Sequence, residues 1–341
     1  MEAVDKSSSD YNIDESKPLP VLEYVLELVS KAKQAARRLA SLPTVTKDQA
    51  LLAMAEALEA QSGEILAANE QDLKAFERTP AKKAMADRLR LTEKRIGEMA
   101  AGLREVAKLP DPVGMMSGMW TRPNGMQVGR VRVPIGVVGI IYESRPNVTA
   151  DSAALCLKSG NVCVLRGGSE AIRSNTAIAA ILSESAEKAG VPAGAITFVD
   201  RADREVVPVL LKQDRFIDVI IPRGGESLMK LISEHSTIPV VKHDAGVCHI
   251  YVDADADSAM AEAICVNAKA QRSSTCNAME TLLVHQSSAR TLLPKLARSL
   301  SAANVEIRGC PKTCELIPEA KPASKQDYGK EFLDLILAVK I

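Results

Sequence analysis

One polar segment of the chain contains the residue types of a nucleophilic site. Residues 272–280, RSSTCNAME, lie between a helix-like stretch and an apolar, strand-like run. In α/β proteins, polar loops next to strands commonly contain the reactive groups. Lys269 and Arg272 lie near Cys276 in sequence, and their positive charges would favour the thiolate form of its side chain. The alternative is a buried structural cysteine, which is the more frequent situation for a lone cysteine.

Two glycine-rich turns have the composition of anion sites. Residues 166–170, RGGSE, and residues 223–227, RGGES, each follow an apolar run and precede a helix-like stretch. Glycines together with the N–H groups of a helix N-terminus can bind phosphate. Neither turn fits the dinucleotide fingerprint or the P-loop, so a plain tight connection explains either one equally well. The candidate residues are Arg166, Gly167, Gly168 and Ser169 in the first turn, and Gly224 and Gly225 in the second.

A third polar segment, YESRPN, follows the first strand-like run. The amide of Asn147 can donate a hydrogen bond to an oxyanion, and Arg145 can pair with a carboxylate or a phosphate. The alternative is an ordinary strand-to-helix turn in which Asn147 only caps the helix. The histidines and cysteines lack the spacing of metal ligands, so the sequence predicts no metal site.

The elements that position these residues are predicted from residue 135 onward by short apolar runs that alternate with helix-like stretches. This alternation indicates an α/β fold with two Rossmann-like parallel-sheet domains, and we expect the boundary near Ala245-Gly246. The last run, residues 332–341, predicts a buried strand at the very end, which suggests a truncated chain. The other predicted strands span residues 136–141, 162–165, 196–199, 217–221, 239–241, 249–252, 281–284 and 305–307.

The N-terminal part, residues 18–109, has a helical pattern. Pro43 separates two of the predicted helices, and Thr46 can cap the second of them. A further helix is expected to start after Thr92, where Glu93 is well placed for the positive end of the helix dipole. The preceding residues 1–17 are polar and have no apolar core, which predicts a disordered tail rather than a signal or transit peptide.

A small hairpin arm is predicted at residues 120–133. Asn124-Gly125 is a tight-turn dipeptide, and the RVRV of residues 130–133 alternates with the period of a strand. Such arms often mediate assembly, so we expect a homo-oligomer.

Composition excludes several classes of partner. Lysine plus arginine and aspartate plus glutamate number 43 each, so no net positive field attracts nucleic acid or an anionic membrane. No run is long and apolar enough to span a bilayer. Aromatic residues are only 3%, which predicts aliphatic cores. The seven cysteines are an odd number scattered along the chain, which indicates free thiols and a reducing compartment, with the cytoplasm as the default.

Taken together, three segments resemble the gamma-glutamyl phosphate reductases, also called glutamate-5-semialdehyde dehydrogenases, a branch of the aldehyde dehydrogenase superfamily. The resemblance extends from about residue 23 to residue 341, and it implies two parallel-sheet domains of aldehyde dehydrogenase type. It also implies that residues 18–245 form an NADP-binding domain and residues 246–341 a catalytic domain that is incomplete at its C-terminus. The segments are VPIGVVGIIYESRPNVTADSAALCLKSGN, VLRGGSEAIRSN and CNAMETLLVH.

The resemblance implies roles for individual residues. Cys276 is expected to be the nucleophile, Asn147 the oxyanion donor, and Arg145 a substrate-binding residue. Both glycine-rich turns are expected to contact the cofactor, and Glu331 to hold a ribose. The implied reaction in proline biosynthesis is the NADPH-dependent reduction of gamma-glutamyl phosphate to glutamate-5-semialdehyde through a cysteine thioester. The implied partners are this small acyl phosphate and the kinase that makes it, glutamate 5-kinase.

Departures from the superfamily pattern sharpen these expectations. Aldehyde-oxidising relatives carry a water-activating glutamate where this chain has residues 242–246, KHDAG. Because a reductive enzyme needs no such water, the absence of glutamate favours reduction, although His243 or Asp244 could still take part. Ser169 would not repel a 2′-phosphate and Arg166 would attract one, which favours NADPH. The alternatives are another aldehyde or acyl dehydrogenase of the superfamily, and an inactive, truncated nucleotide-binding fragment.

Overall fold

The structure is a computed structural model that describes residues 20–76, 88–143, 145–242 and 245–341. The predicted disordered tail and the residues His243 and Asp244 lie outside the described residues. The chain divides into two compact units between Lys242 and His243. Each unit has its own hydrophobic core. We call them unit 1, up to Lys242, and unit 2, from His243 onward.

The N-terminal part of unit 1 is helical, as predicted. Pro43 directly precedes the second helix and separates it from the first. Thr92 caps the fourth helix, because its Oγ1 accepts a hydrogen bond from Arg95 N at 3.2 Å. The prediction that Thr46 caps the second helix is wrong: Pro43 is the N-cap, and Thr46 lies inside the first turn. These helices are α1 Val21–Leu39, α2 Thr44–Ala60, α3 Ser62–Phe76 and α4 Glu93–Lys108.

The hairpin arm is confirmed as an antiparallel pair of strands, β1 Met116–Thr121 and β2 Gln127–Val131. Gly125 occupies the turn with a φ of +83°, a conformation that glycine adopts without steric cost. The arm begins a few residues before the predicted range. All residues of β1 are exposed.

Unit 1 is built around a four-stranded parallel sheet with the order β5-β4-β3-β6. Every side chain of β3 is buried, as expected for a central strand covered on both faces. The predicted strand at residues 239–241 makes only an isolated bridge, between Val240 and Ile220. The elements are β3 Val137–Tyr142, α5 Asn147–Lys158, β4 Val162–Arg166, α6 Ile172–Lys188, β5 Ile196–Phe198, α7 Val206–Leu210, β6 Val219–Arg223 and α8 Glu226–His235.

Unit 2 contains a five-stranded parallel sheet with the order β10-β9-β11-β8-β7. The predicted strand at residues 332–341 is shorter than expected, because Leu333 has a φ of +53° and cannot continue a strand. The elements are β7 Cys248–Val252, α9 Ser258–Ala270, β8 Met279–Val284, α10 Gln286–Ala302, β9 Glu306–Gly309, α11 Pro311–Leu316, β10 Lys321–Pro322 and β11 Ile336–Lys340.

Two structural observations concern the cysteines and the helices of the chain. All seven cysteines are free thiols. Within the part of the chain that the structure describes, no helix has both the length and the apolar character needed to cross a bilayer.

Helix α6 is capped from a distance by α3. Asp72, which is buried in α3, accepts hydrogen bonds from Ser174 N at 2.8 Å and from Ser174 Oγ at 2.7 Å. Its other oxygen accepts from Arg173 N at 3.3 Å. No side chain next to α6 in sequence provides this cap. Asp72 therefore satisfies N–H groups in the first turn of α6, directly after the glycine-rich turn of residues 166–170.

Replacing Asp72 tests this remote cap. Asp72→Ala leaves buried N–H groups without an acceptor, so we expect the free energy of unfolding to fall by about 2–3 kcal/mol. Asp72→Asn is the control, because its amide oxygen keeps one acceptor and the loss should be smaller. Urea unfolding measures both, and hydrogen exchange of the Arg173 and Ser174 amides should accelerate in the alanine variant. An alanine variant as stable as the parent would contradict the cap.

Candidate active site

The candidate residues of unit 1 lie at one edge of its sheet. Asn147 follows β3, Arg166 ends β4, and Gly225 follows β6. These strands are neighbours in the order β4-β3-β6. Because the carboxyl ends of parallel strands meet at one edge, the three polar segments lie together there, where open α/β sheets bind their ligands.

The first glycine-rich turn packs on a buried chain of hydrogen bonds. Tyr142 Oη and Thr149 Oγ1 are 2.6 Å apart, and Thr149 Oγ1 donates to Asn175 Oδ1 at 3.2 Å. The Asn175 amide lies directly against Gly167: a Cβ atom at Gly167 would come within 2.1 Å of Asn175 Nδ2 and 3.1 Å of Tyr142 Cε2. Gly167 is therefore required by close packing, and the Arg166–Ser169 backbone is held by the core beneath it.

Arg166 is the cation of this turn. Its Nη1 donates to the carbonyl of Gly167, whereas its buried Nε has no hydrogen-bond partner. Burial lowers the pKa of the guanidinium, although an arginine stays charged at any physiological pH. The Nε atom is enclosed by protein and cannot reach a ligand, so any anion must meet the exposed part of this side chain, beside the Glu170 carboxylate. The adjacent Gly168 is buried, and Ser169 is exposed.

The sequence predicted that N–H groups at the start of the following helix could bind an anion. In the structure, the N–H groups of the first turn of α6 are not available to a ligand. A short 3₁₀ turn, Ser169–Ala171, separates the glycines from α6. The N–H groups of Arg173 and Ser174 are already bound to Asp72. Any anion binding at this turn must therefore come from the Arg166 guanidinium and from the backbone and hydroxyl groups around Ser169.

The second glycine-rich turn holds a carboxylate of the chain itself. Gly225 N donates to Glu143 Oε2 at 3.1 Å. A Cβ atom at Gly224 would come within 2.7 Å of Glu143 Cδ, so only glycine allows this approach. Gly225 is the N-cap of α8, and the helix dipole favours negative charge there. The N–H group of this turn is thus already bound to a carboxylate of the chain, an occupant that could not be predicted locally because Glu143 is distant in sequence.

Asn147 and Arg145 lie at the start of α5, and both are exposed. Pro146 is the N-cap of this helix, and Asn147 is its first residue. Asn147 Nδ2 donates to Asp151 Oδ2 at 3.1 Å. Asn147 therefore does not cap the helix, and its amide is a donor at the surface of the unit.

Cys276 of unit 2 is the exposed one of the seven cysteines. Its loop is shaped by local bonds: Thr275 Oγ1 donates to Arg272 O at 2.9 Å, and Ala278 N donates to Thr275 O at 3.0 Å. The alternative of a structural core thiol at Cys276 is therefore wrong. By contrast, burial raises the pKa of Cys265 to about 11, so that thiol stays protonated and unreactive.

Three segments of unit 2 meet at the edge of its sheet where the strands start. In unit 1, by contrast, the candidate residues lie where the strands end. Gly246 precedes β7, Cys276 precedes β8, and Glu331 precedes β11, and these strands are neighbours. A Cβ atom at Gly246 would lie 2.4 Å from Cys276 O and 3.1 Å from Glu331 Oε1. Cys248 Sγ also donates to Cys276 O at 3.5 Å. The backbone of Cys276 and the carboxylate of Glu331 are thus brought together around Gly246.

Lys269 does not act as a free cation for Cys276. Its Nζ lies 2.6 Å from Glu280 Oε2, and both side chains are completely buried. Sequence proximity predicted Lys269 only as a neighbour of the thiol, and it assigned no role to Glu280, the last residue of the polar segment 272–280. Among the residues that the structure describes, no group of three or more His, Cys, Asp or Glu side chains is arranged to hold a metal ion.

Comparison with known proteins identifies the family of the chain. The model of the aldehyde dehydrogenase family matches residues 22–314. The chain belongs to the aldehyde dehydrogenase family. It is an oxidoreductase that acts on an aldehyde, and enzymes of the aldehyde dehydrogenase family use a nicotinamide cofactor.

Individual relatives within the aldehyde dehydrogenase family point to one branch. The gamma-glutamyl phosphate reductase of Moorella thermoacetica is 54% identical over 311 residues, 91% of this chain and 74% of the relative. The Geobacter metallireducens protein of the same name is 52% identical, covering 95% of this chain and 77% of the relative. The crystal structure of gamma-glutamyl phosphate reductase from Thermotoga maritima is similar with a TM-score of 0.88 and 41% identity, covering 93% of this chain and 76% of that chain.

The close packing at Gly167 leads to a stability prediction. Gly167→Ala places a methyl group against the buried Asn175 amide, so we expect the free energy of unfolding to fall by about 1–3 kcal/mol. The matched control is Gly97→Ala in α4, where a Cβ atom has nothing within 4 Å. That variant should gain about 1 kcal/mol, because alanine is the better helix former. Denaturant unfolding compares the two, and equal stability of Gly167→Ala and the parent would contradict the packing argument.

Proposed function

We propose that this enzyme reduces gamma-glutamyl phosphate to glutamate-5-semialdehyde with NADPH, in proline biosynthesis. The proposal depends chiefly on the relatives named gamma-glutamyl phosphate reductase, which share 52–55% identity with at least 91% of the chain. The exposed thiol of Cys276 supports it, because a covalent mechanism needs an accessible nucleophile.

Cys276 acts as the nucleophile in this proposal. Its thiolate sulfur attacks the acyl carbon of the substrate, and the bond from that carbon to the phosphate oxygen breaks. The products of this step are a thioester on Cys276 and inorganic phosphate. After reduction of the thioester carbon, the carbon–sulfur bond breaks, the aldehyde leaves, and the thiolate is regenerated.

Asn147 donates a hydrogen bond to the substrate oxygen as negative charge develops on it. Its amide is exposed and donates to Asp151 here, so it can exchange one carboxylate acceptor for the oxyanion. The backbone N–H of Cys276 is the companion donor. A donor of this kind typically contributes about 3–4 kcal/mol to stabilising the transition state. Arg145, which follows the same strand, binds an anionic group of the substrate.

The residues around the two turns and Glu331 suit a nicotinamide cofactor. When bound, the cofactor supplies the hydride that reduces the thioester carbon. The charge of the half-buried Arg166 guanidinium attracts the 2′-phosphate that distinguishes NADPH, and the exposed Ser169 does not repel it. Gly167 and Gly168 shape the first turn, whereas Gly224 and Gly225 leave room for an anion, which displaces the Glu143 carboxylate from Gly225 N. The Glu331 carboxylate accepts hydrogen bonds from a ribose.

The segment before β7 favours reduction over hydrolysis of the thioester. Residues 242–246, KHDAG, contain no glutamate to activate water. Gly246 packs against the Cys276 carbonyl, so a larger residue there would displace the nucleophile loop. The thioester therefore survives until it is reduced.

The hairpin arm is the proposed surface for assembly into a homo-oligomer. A two-stranded hairpin is at best marginally stable without further packing. Its exposed side chains nevertheless include Met116, Met119, Trp120, Met126 and Val131. An apolar surface next to exposed strand edges is a typical site of self-association.

The nucleophile is tested by replacing Cys276 with serine. We expect turnover to fall by about 10³-fold or more, because the alcohol is a far weaker nucleophile and a poorer leaving group. Phosphate-dependent oxidation of glutamate-5-semialdehyde by NADP⁺ measures the reverse reaction. Cys314→Ser is the control, because a hydroxyl can keep the bond from Cys314 Sγ to Gly309 O. Oxidation that does not require phosphate would point instead to a hydrolytic aldehyde dehydrogenase, and NADPH binding without turnover would point to an inactive protein.

Assembly is tested by placing a charge on the arm. Met116 is 70% exposed on β1, and we expect Met116→Glu to shift the protein toward a smaller species in analytical ultracentrifugation. Val45→Glu is the matched control, because Val45 is 65% exposed and belongs to α2 rather than to the arm. A parent that sediments as a monomer, or equal shifts in both variants, would contradict the proposal.

A further inference from the structure

A completely buried ion pair lies beside the nucleophile loop. Lys269 Nζ and Glu280 Oε2 are 2.6 Å apart, and neither side chain has any exposed surface. Removing two charges from water is costly, and an apolar pair of similar volume is often equally stable. Stability alone therefore does not explain why the chain places a lysine and a glutamate here.

The ion pair joins the two ends of the loop that contains Cys276. Lys269 lies in the last turn of α9, and Glu280 is the second residue of β8. The chain between them forms the loop of residues 271–278, in which Cys276 is exposed. The pair thus fixes the separation of the loop ends from inside the unit.

The other oxygen of Glu280 holds a second segment. Glu280 Oε1 accepts a hydrogen bond from Leu333 N at 3.0 Å. Leu333 has a φ of +53°, a conformation that is unfavourable for a leucine and needs outside support. Glu331 lies two residues earlier and reaches Gly246, which also packs against Cys276 O. One buried carboxylate therefore contacts both the segment that contains the nucleophile and the segment that contains Glu331.

We propose that Glu280, with its charge neutralised by Lys269, is a positioning residue that holds the Cys276 loop and the Glu331 segment in one arrangement. Glu280 acts through these residues and does not touch the substrate. The proposal rests on the proposed function only for the roles of Cys276 and Glu331. The contacts of Glu280 with Lys269 and with Leu333 N are observed in the structure and do not depend on the proposed function.

The experiment compares two double variants that both remove the ion pair. K269M/E280Q keeps a side-chain oxygen that can accept from Leu333 N–H, whereas K269M/E280L has none. We expect K269M/E280L to bind NADPH about 10-fold or more weakly than K269M/E280Q, because a small misplacement of a binding group has a large effect. Fluorescence titration without substrate measures this binding. The alkylation rate of the Cys276 peptide by iodoacetamide, followed by mass spectrometry, should differ between the two variants in parallel.

A coupling measurement separates positioning from a general loss of stability. Adding Glu331→Gln should weaken NADPH binding in K269M/E280Q and have little further effect in K269M/E280L, where Glu331 is already displaced. A merely structural role would leave the two effects additive. If Glu331→Gln has no effect in the parent enzyme, the proposed role of Glu331 is wrong, and the alkylation rates then decide the positioning proposal. Equal NADPH affinities and equal alkylation rates in the two double variants would overturn it.

A second pair of variants covers the case in which K269M/E280L does not fold. Leu333 is 45% exposed, so its replacement leaves the buried pair intact. Leu333→Pro removes the same N–H group and cannot adopt a positive φ, whereas Leu333→Ala keeps the N–H. We expect only the proline variant to lose NADPH affinity and to change the alkylation rate at Cys276. Identical behaviour of the proline and alanine variants would count against the proposal.

Discussion

Parallel pairing of the strands is the constraint on which the candidate residues of each unit depend. In a parallel sheet, segments that follow neighbouring strands meet at one edge, and segments that precede them meet at the opposite edge. Unit 1 uses the first arrangement for the residues after β3, β4 and β6. Unit 2 uses the second for the residues before β7, β8 and β11. Within each unit, segments that are far apart in sequence become neighbours only through this pairing.

Carboxylates from distant parts of the chain then hold the polar segments in place. Asp72 binds the start of α6, Glu143 binds the turn at Gly225, and Glu280 binds the N–H of Leu333. Hydrogen bonds to a charged acceptor are stronger than neutral ones. Asp72 and Glu280 are buried, so they are permanent supports. Glu143 is exposed, so its bond with Gly225 N competes with water, unlike the bonds of the two buried carboxylates.

Much of the fold follows from local patterns. Apolar runs of strand length between helix-like stretches predicted the parallel sheets, because a strand that is buried on both faces must be apolar throughout. The helix start at Thr92 and the turn at Asn124-Gly125 were predicted for similar reasons, since a cap and a tight turn are set by adjacent residues. Long matching segments around Asn147 and Cys276 indicated the aldehyde dehydrogenase family before any geometry was known.

The sequence by itself thus determined the elements, the family and the identity of the candidate residues, because these depend on local pattern and composition. Only the tertiary structure decided which groups contact them. In the structure, Lys269 forms an ion pair with Glu280 rather than acting on Cys276. The N–H groups at the start of α6 bind Asp72 rather than a ligand. The structure also moved the start of the last predicted strand to Ile336, because Leu333 has a positive φ. Such contacts join residues that are remote in the chain, and a buried polar group takes whichever partner the packed fold places beside it.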